Sequence, residues 1–568
     1  MKKKTGILLS AAVLMTGLLA GCSTSDNGAK SASEAKETKD AKEVKVKDGK
    51  YDPPISITTA KQQDENAGKY INGESLNDNV LTRWGVKNLG INIQTTLLGG
   101  DGGNYNTKLR LALTGSEKLP DVLPVYDTTL MSDMIQSGLV KDVTDDIKKN
   151  MPPRLKETYK QFPNTFNPVI QDGKVYGIAV SPNLTEGEVM LIRQDWLDKL
   201  KLKAPTNIEE FEQVMDAFTN KDPDGNNKND TYGFTFSGKD SYNTGWVSDP
   251  IMIFSAYTGK NFPGQWYNDN GKLTYGSVAP GNKDALSKLR DWFSKGYLNK
   301  EFASKGAWDA IADFTQGKAG IIIGRPWLYG SVKDLEKNVP GAKIGVYPTI
   351  KGVKGEKTYQ NGQQNDGVFM FNKDFKYMDA FFLYYDKLYD AAFGTGDFKY
   401  GYAQGYDYDI VNGKVVFDAK QFNKPMDNII GVGKMPFTKN SPSVDGPGKP
   451  FYDLAQGAKP DTGVLMRADA ADQTTKDGFV ISYENRDVLL PNAFNGPPTK
   501  TMQSSWAQLL TMEMETYTKI IYGKEPISIY DDFVKQWNER GGAKITQEVN
   551  DWYSNASKVD VMSKMGLK

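Results

Sequence analysis

The 568-residue chain contains no histidine and only one cysteine. Without histidine there can be no Ser-His-Asp triad, no Cys-His nucleophile and no His-ligated zinc, and a single cysteine cannot form an internal disulfide. Most acyl-transfer and zinc chemistry is therefore excluded. Chemistry that needs only two carboxylates, such as glycoside hydrolysis, remains open.

Neither sign of charge is in excess, since Lys+Arg and Asp+Glu each number 70. No basic stripe follows the chain, so nucleic acid is not an expected partner. The sequence also has neither a Gly-rich phosphate loop nor a dinucleotide-binding fingerprint. With 25% charged and 39% hydrophobic residues, the bulk of the chain has the composition of a soluble globular protein, long enough for more than one domain.

The N-terminus has the pattern of an export signal. Three lysines, Lys2 to Lys4, precede an apolar run from Ile7 to Ala20 that is too short to span a bilayer as a mature helix. The run ends in Leu-Ala-Gly before Cys22, which resembles the lipobox of bacterial lipoproteins. The resemblance implies a signal peptide over residues 1–22 and acyl (palmitate) chains on Cys22. We therefore expect a protein anchored to the outer face of the cell membrane.

The next segment, residues 23–50, is rich in Ser, Ala, Lys, Glu and Asp and has no aromatic residue. It offers too little apolar surface to offset the entropy of ordering the chain. We predict a disordered tether here and a folded body that begins near Tyr51.

Within the folded body, short apolar runs alternate with helical periodicities. The predicted strands lie at 55–59, 91–93, 121–123, 175–178, 319–323, 343–346 and 367–371. Helical spacing appears around Trp292 and from Trp506 to Ile521. Strands that alternate with helices predict an α/β fold with largely parallel sheets.

One loop has the spacing of calcium ligands. Asp222, Asp224, Asn226 and Asp230 place oxygen donors at positions 1, 3, 5 and 9, and the carbonyl of Lys228 is available at position 7, as in an EF-hand-like loop. Position 6 is Asn227, which tolerates a positive φ, but position 12 is Gly233 rather than glutamate. We predict a structural Ca²⁺ at these five residues; the alternative is a plain Asx/Gly turn.

Several blocks together resemble the lipoproteins of Gram-positive ABC importers, which are extracellular solute-binding proteins for oligosaccharides, similar to alginate-binding and maltose-binding proteins. The blocks are 118–122, 138–142, 175–178, 191–197, 204–206, Phe211, the loop 222–234, 314–320, 520–523, Trp537 and 541–542. They run in order through nearly the whole folded body.

The resemblance implies an α/β type II periplasmic-binding-protein fold, with two lobes joined by a hinge and a central ligand cleft. Matching the chain crossings of the maltose-binding relatives places them near 178–188 and 358–366. The first lobe would then comprise 51–178 plus 367–440, and the second 187–358 plus 441–568. The implied partners are an oligosaccharide, the permease subunits of an ABC transporter and, through the lipid, the membrane; we expect a monomer.

Aromatic residues where strands run into loops are candidates to stack on sugar rings. Trp327, directly after the strand at 319–323, resembles a stacking tryptophan of the maltose-binding relatives, and Trp506 lies where those relatives place another. Tyr126 and Asp127 fall where the family's first lobe touches ligand, and Trp246 follows the calcium-type loop in a polar stretch.

Each of these candidates has a plainer interpretation. Trp246, Trp327 and Trp506 could pack in the core, and Tyr126 with Asp127 could form a surface loop. Asn365, near the second predicted crossing, could bind a sugar hydroxyl or cap a turn, and the same holds for Asp366, Ser181 and Asn183. Trp196, Trp292, Trp537 and Trp552 stand in helical patterns with apolar neighbours, so we predict that they are core residues.

Two functions compete at this point. The first is a non-enzymatic binding protein that captures an oligosaccharide outside the cell and passes it to an ABC permease. The second is a membrane-anchored glycoside hydrolase that uses two carboxylates. No pair of carboxylates stands out from spacing alone, whereas the binding-protein blocks occur in order, so the sequence favours binding.

Overall fold

The computed structural model describes residues 45–47, 49–63, 70, 73–100, 103–115, 118–182, 186–239, 241–363, 366–424, 435–437, 442–556 and 560–568. The predicted signal peptide, Cys22 and most of the predicted tether lie outside these residues, as do Asn183 and Asn365. No helix in the described ranges is long and apolar enough to cross a membrane.

A short hairpin lies within the segment predicted to be a tether. Strand Lys45–Lys47 pairs antiparallel with strand Lys50–Asp52, and Lys47 lies opposite Lys50. Gly49, just before the second strand, has a φ of 75°, the left-handed conformation that glycine adopts readily in tight turns. Tyr51, only 4% exposed, packs this hairpin on the first core, so residues 45–47 and 49–50 belong to a hairpin rather than to the predicted tether.

A five-stranded sheet organises the N-terminal part of the chain. Its strands, in spatial order, are Ile91–Gly99, Ile55–Gln62, Val122–Val125, Val368–Phe371 and Ile178–Ala179. The first three pair in parallel, whereas Val368–Phe371 runs antiparallel to both of its neighbours.

A second, four-stranded sheet is built from the middle of the chain. Its strands, in spatial order, are Tyr232–Phe234, Ala319–Gly324, Val189–Arg193 and Ile344–Tyr347. Only the first pair is parallel.

Six of the seven predicted strands are confirmed. The seventh, 175–178, is divided between the short strands Lys174–Val175 and Ile178–Ala179, which pair with different partners. The prediction of largely parallel sheets is wrong, because both sheets are mixed. The antiparallel strands are those next to the chain crossings: the chain leaves the first sheet at Ala179, enters the second at Val189, leaves it at Tyr347 and returns at Val368. Two consecutive strands of one sheet pair in parallel when a helical crossover connects them. A strand that the chain enters from the other sheet has no such crossover before it, so it can pair antiparallel.

Smaller pairings complete the strand set. These are the hairpins Ile170–Gln171 with Lys174–Val175, Trp266–Asp269 with Lys272–Tyr275 and Asp409–Val411 with Lys414–Val416, and the parallel pair Gln360–Asn361 with Leu489–Leu490.

Helices cover the sheets. Those of the first part are Val80–Leu89, Asn104–Leu113, Thr128–Gln136, Thr144–Asn150, Pro153–Lys160, Met378–Leu388 and Asp390–Phe393. Those of the middle part are Gln194–Leu200, Ile208–Asn220, Ile251–Thr258, Asn282–Ser294, Ala307–Thr315, Leu328–Val332 and Asp334–Asn338. The C-terminal helices are Lys449–Ala455, Gly463–Asp469, Gln473–Glu484, Lys500–Ile521, Ile529–Trp537, Ala543–Ala556 and Val561–Lys564.

The apolar residues form separate cores on the two sheets. One core spans residues 51–180 and 368–437, and the second sheet carries two clusters from 189–350 together with residues 494–549. Trp196, Trp292 and Trp537 are buried in the second core and Trp552 packs against it, as predicted.

The chain end departs from the predicted division. Val561, Met565 and Leu567 pack in the first core, although residues 441–568 were assigned to the second lobe. The final helix is short, and the sequence around its apolar side chains does not indicate which of the two cores they join.

Candidate ligand-binding site

Two of the predicted site residues, Trp246 and Trp327, lie against each other. Their indole rings stack with centroids 5.7 Å apart and an angle of 15° between the planes. Both side chains are half-buried. The pair therefore forms one aromatic platform that is partly open to solvent.

The end of strand Ala319–Gly324 positions this pair. Ser248 N donates to Ile323 O at 2.7 Å and Arg325 N donates to Trp246 O at 3.2 Å, so the loop with Trp246 lies alongside the strand end. A side chain at Gly324 would come within 2.9 Å of Val247, so glycine permits this close approach. Trp327 follows two residues after Arg325 and precedes the short helix Leu328–Val332.

A buried carboxylate, that of Asp249, holds the loop with Trp246. Asp249 is 0% exposed, and it accepts hydrogen bonds from Thr244 N at 3.0 Å, Thr244 Oγ1 at 2.9 Å, Gly245 N at 3.1 Å and Ile251 N at 3.1 Å. Burial raises the pKa of Asp249, and these donors oppose that effect. The carboxylate is thus the structural centre of the turn that presents Trp246.

A third tryptophan, Trp308, extends the pair. Its ring centroid lies 5.9 Å from that of Trp246, with the planes inclined at 59°. Trp308 is 63% exposed and stands in the first turn of helix Ala307–Thr315. Sequence reasoning missed this residue; its position at a helix start just after Gly306, beside the acidic Asp309, was the available signal.

Charged groups lie beside the platform at the first chain crossing. Arg325 Nη2 donates to Gly245 O at 2.6 Å and to Gln363 Oε1 at 3.3 Å. Burial raises the pKa of Glu188 and that of Glu186, while the charge of Arg325 opposes both shifts. Glu188 Oε2 is buried and has no hydrogen-bond partner among the described residues. These groups can exchange hydrogen bonds with polar groups that enter the site.

The first core also borders the second crossing. A side chain at Gly367 would come within 2.6 Å of Tyr126 Cδ1, so the Tyr126 ring packs directly on this crossing. On the other side, a side chain at Gly245 would lie 3.2 Å from Asn361 Nδ2. Tyr126 and the loop with Trp246 therefore both adjoin the segment that returns to the first sheet.

Asp127 is already used by its own helix. Its carboxylate accepts from Leu130 N at 2.7 Å as the N-cap of Thr128–Gln136 and lies 3.8 Å from Arg110 Nη2. Ser181 Oγ, by contrast, is buried and has no partner among the described residues.

Trp506 lies elsewhere. Its ring contacts Tyr275 edge-on, with centroids 5.1 Å apart, and Tyr275 in turn stacks on Trp537 in the second core. The structure thus gives Trp506 a packing contact in the second core, which is the alternative left open above. Asn365 lies outside the described residues.

A small pocket lies next to the first crossing rather than at the tryptophans. Glu186 and Gly187 line one side, and residues 445–448 with Ser482, Tyr483, Arg486 and Leu489 line the other.

The predicted calcium loop folds into a turn held by its own side chains. Asn227 at position 6 has a φ of 59°, which is the conformation expected there. The carboxylate of Asp222 accepts from the backbone amides of Gly225, Asn226 and Asn227 at 3.0–3.1 Å. Burial raises the pKa of Asp222, but the backbone amides outweigh it, so the net shift is downward.

The other side chains of the loop converge on Asn226. Its Nδ2 lies 2.8 Å from Asp224 Oδ2 and 3.1 Å from Asp230 Oδ1, while its Oδ1 accepts from Lys228 N at 2.7 Å. Over the described ranges, no group of three or more Asp, Glu or Cys side chains is placed to hold a metal ion. In this conformation the loop is a hydrogen-bonded turn.

The arrangement of two sheets with separate cores, joined by repeated crossings, is the two-lobed fold of periplasmic binding proteins. Residues 67–392, more than half of the chain, match the family of bacterial extracellular solute-binding proteins, and the chain belongs to that family. Since these are binding proteins, the hydrolase alternative is discarded and the protein is not an enzyme.

The individual matches agree. The chain is 25% identical over 461 residues to the polygalacturonan/rhamnogalacturonan-binding protein YtcQ of Bacillus subtilis (strain 168), covering 79% of this chain and 83% of that protein. Two solved structures share the fold, each with a TM-score of 0.60 and covering 89% of this chain. One is alginate-binding protein AlgQ2 without calcium ion, at 20% identity over 98% of its chain. The other is an EF-hand mutant of the S. pneumoniae ABC-transporter substrate-binding protein FusA with fructo-nystose, at 17% identity over 100% of its chain.

Proposed function

We propose that this protein captures an oligosaccharide outside the cell and delivers it to the membrane subunits of an ABC importer. The observation that carries the proposal is the stacked pair Trp246 and Trp327 beside the chain crossings. Relatives that bind polygalacturonan or a fructo-oligosaccharide support the ligand class.

The chemistry of the site suits a sugar. Sugar rings have apolar C–H faces that pack on aromatic rings and a rim of hydroxyls that needs hydrogen-bonding groups. The tryptophan pair supplies the aromatic surface, and Arg325 and Glu188 supply hydrogen-bonding groups. Sugar hydroxyls exchange bonds with water for bonds with protein at small net gain, so we expect most of the affinity to come from the aromatic surface.

We propose that binding closes two lobes around the ligand. The first sheet with Tyr126 and Asp127 would form one wall, and the second sheet with Trp246 and Trp327 the other. The two separate cores support lobes of 51–178 plus 367–440 and 187–358 plus 441–568. Two stretches of 441–568 lie against the first lobe instead: the C-terminal helix packs in the first core, and helix Gly463–Asp469 bonds to Lys399 and Asp407. In this scheme Asn365 would meet the ligand at the second crossing.

We further propose that acyl chains on Cys22 anchor the protein to the cell membrane and that it acts as a monomer. The Leu-Ala-Gly-Cys sequence after the apolar run supports the anchor. Such an anchor keeps the binding protein near its permease while the ligand is captured outside.

The loop 222–230 is proposed to hold a structural Ca²⁺. Its donors are hard oxygens, as calcium prefers, and Asp224, Asn226 and Asp230 already converge. A half-turn of the Asn226 amide would present oxygen instead of nitrogen toward the two carboxylates. Asp222 and the carbonyl of Lys228 would complete the protein ligands, and bound calcium would fix the loop after helix Ile208–Asn220.

The test is calorimetric titration with oligogalacturonides, fructo-oligosaccharides and maltodextrins, together with an assay for released reducing ends. Saturable binding of one series without product supports the proposal. Release of reducing ends, or no heat of binding with any series, would contradict it. Trp327→Ala serves as the site control, and Leu111→Ala, which truncates an exposed side chain on the first sheet's helix Asn104–Leu113, as the matched surface control.

A further inference from the structure

We propose that Trp308 forms an outer subsite that binds an additional sugar unit of longer chains, and that it thereby sets the preference for chain length. The inference rests on the proposed function. Its basis is a run of three rings in contact, in which Trp327 stacks on Trp246 and Trp246 contacts Trp308.

The spacing of the rings limits where a sugar can stack. A sugar between two parallel rings needs two van der Waals contacts, so the ring planes must be ~7 Å apart or more. Trp246 and Trp327, with centroids at 5.7 Å and nearly parallel planes, leave no such gap. Each therefore gives one face to the other, and the pair can offer only its outer surfaces to a ligand.

Trp308 enlarges that surface toward solvent. The first two rings are half-buried, whereas Trp308 is 63% exposed. Its plane is inclined at 59° to that of Trp246, so it presents its surface in a different direction. A chain bound at the inner pair would meet this ring only if it extends far enough outward.

Hydrogen bonds hold the backbone around Trp308 in place. Gly238 N donates to Phe302 O at 3.0 Å, and Lys239 N donates to Lys305 O at 3.2 Å, which ties the loop before the helix to the segment after strand Tyr232–Phe234. The same segment is tied to the loop of Trp246, since Ser237 N donates to Ser248 O at 2.7 Å.

The start of the helix is equally fixed. Asp309 Oδ2 accepts from Gly306 N at 2.9 Å, and Lys305 Nζ pairs with buried Asp313 at 2.8 Å. A large aromatic side chain on a fixed backbone has few rotatable bonds, so it binds with little loss of conformational freedom. This combination favours a ligand contact over a side chain left exposed by chance.

A sugar is a better occupant than a protein partner because the ring continues the inner pair directly. The chemistry needed is an apolar face of a pyranose or furanose ring, which the proposed ligand class provides at every unit of its chain.

The experiment titrates wild type, Trp308→Ala and Trp308→Phe with oligogalacturonides, fructo-oligosaccharides and maltodextrins, each from disaccharide to octasaccharide. We expect Trp308→Ala to weaken binding of the longer members by about five- to 30-fold, with no change for the shortest that bind. Trp308→Phe, which keeps an aromatic face, should recover part of the loss. Leu111→Ala truncates another exposed apolar side chain and should change the binding of neither the longer nor the shorter oligosaccharides.

Each other outcome overturns the inference. An equal loss at every chain length would mean that Trp308 only supports Trp246, and no loss at any length would mean that it does not touch the ligand. Normal binding with reduced uptake in cells would make Trp308 a docking residue. Failure of the proposed function is distinct, since wild type would then bind none of the three series.

Discussion

Trp246 and Trp327 stack with ring centroids 5.7 Å apart, although they come from different loops of the second sheet. Each ring buries part of the other, so removing one exposes and loosens its partner. The two residues are expected to act as one unit in binding.

Trp327→Ala should weaken oligosaccharide binding by roughly 1 to 3 kcal/mol, about five- to 150-fold, because it removes an aromatic anchor. Trp246→Ala should have a similar effect. The double variant should lose much less than the sum, since residues in direct contact are coupled. Calorimetric titration of the three variants measures the coupling.

A thermal melt of the same variants is the control. Trp327 is half-buried at the site rather than enclosed in a core, so its removal should lower stability only modestly. Unchanged affinity together with a collapsed melting temperature would show that Trp327 is a core residue and that the site lies elsewhere.

The sequence predicted the strands well because each is a short apolar run between turn residues, such as 319–323, and that signal is local. The direction of pairing was not predictable in the same way. Strand Val368–Phe371 lies antiparallel to Val122–Val125 because the chain has returned from the other sheet, and no local pattern records that path.

The site shows the same limit. Residue type and loop position pointed to Trp246 and Trp327, but their contact depends on the approach of Val247 to Gly324, which only the folded chain reveals. Trp506, another predicted stacking residue, lies in helix Lys500–Ile521 and packs on Tyr275. The spacing of apolar residues predicted the helix but not which side chains of the helix face the core. Trp308 was overlooked since exposure cannot be read from one residue.

Asp249→Ala should lower both stability and affinity. It leaves the buried amide of Ile251 and the part-buried amides of Thr244 and Gly245 without their acceptor, and each unpaired buried group costs about 1–3 kcal/mol. Loosening of this turn should also displace Trp246. Urea unfolding should show a loss of about 3 kcal/mol or more, with weaker sugar binding in calorimetry.

Asp249→Asn keeps one acceptor oxygen, so its stability and its affinity should lie between those of wild type and those of Asp249→Ala. A stability of Asp249→Ala within about 0.5 kcal/mol of wild type would show that the turn does not depend on this carboxylate.

Removal of calcium should destabilise the protein if the loop 222–230 holds the ion. A ligand that binds only the native state stabilises it by mass action, by about 2.7 kcal/mol at a hundred times its dissociation constant. A chelator should therefore lower the melting temperature, and added Ca²⁺ should restore it.

Asp224→Ala should abolish the response, because it removes one of the carboxylates that converge on Asn226. Asp531→Ala, at an exposed carboxylate paired with Lys283, should leave the response intact. Identical melting curves of wild type in chelator and in calcium would rule out the site.

Glu513 should make the stability of the second core depend on pH. Its carboxyl group is 5% exposed; Oε1 accepts from Ser277 Oγ at 2.7 Å and Oε2 from Tyr275 OH at 3.1 Å. Burial raises the pKa of Glu513 to about 7, from 4.5 for the free side chain. The folded state thus holds the proton of Glu513 more tightly than the unfolded state does.

This difference makes the free energy of unfolding depend on pH. The protonated carboxyl group therefore contributes up to about 3 kcal/mol to the free energy of unfolding. This contribution is complete below pH 4.5, decreases as the pH rises through 7 and is absent above it. Glu513→Gln, which cannot ionise, should remove this component, so that its stability relative to wild type increases between pH 5 and pH 8 in urea unfolding. Glu515→Gln, an exposed position on the same helix, should leave the pH profile unchanged. A constant difference between Glu513→Gln and wild type across that range would mean that Glu513 does not titrate there.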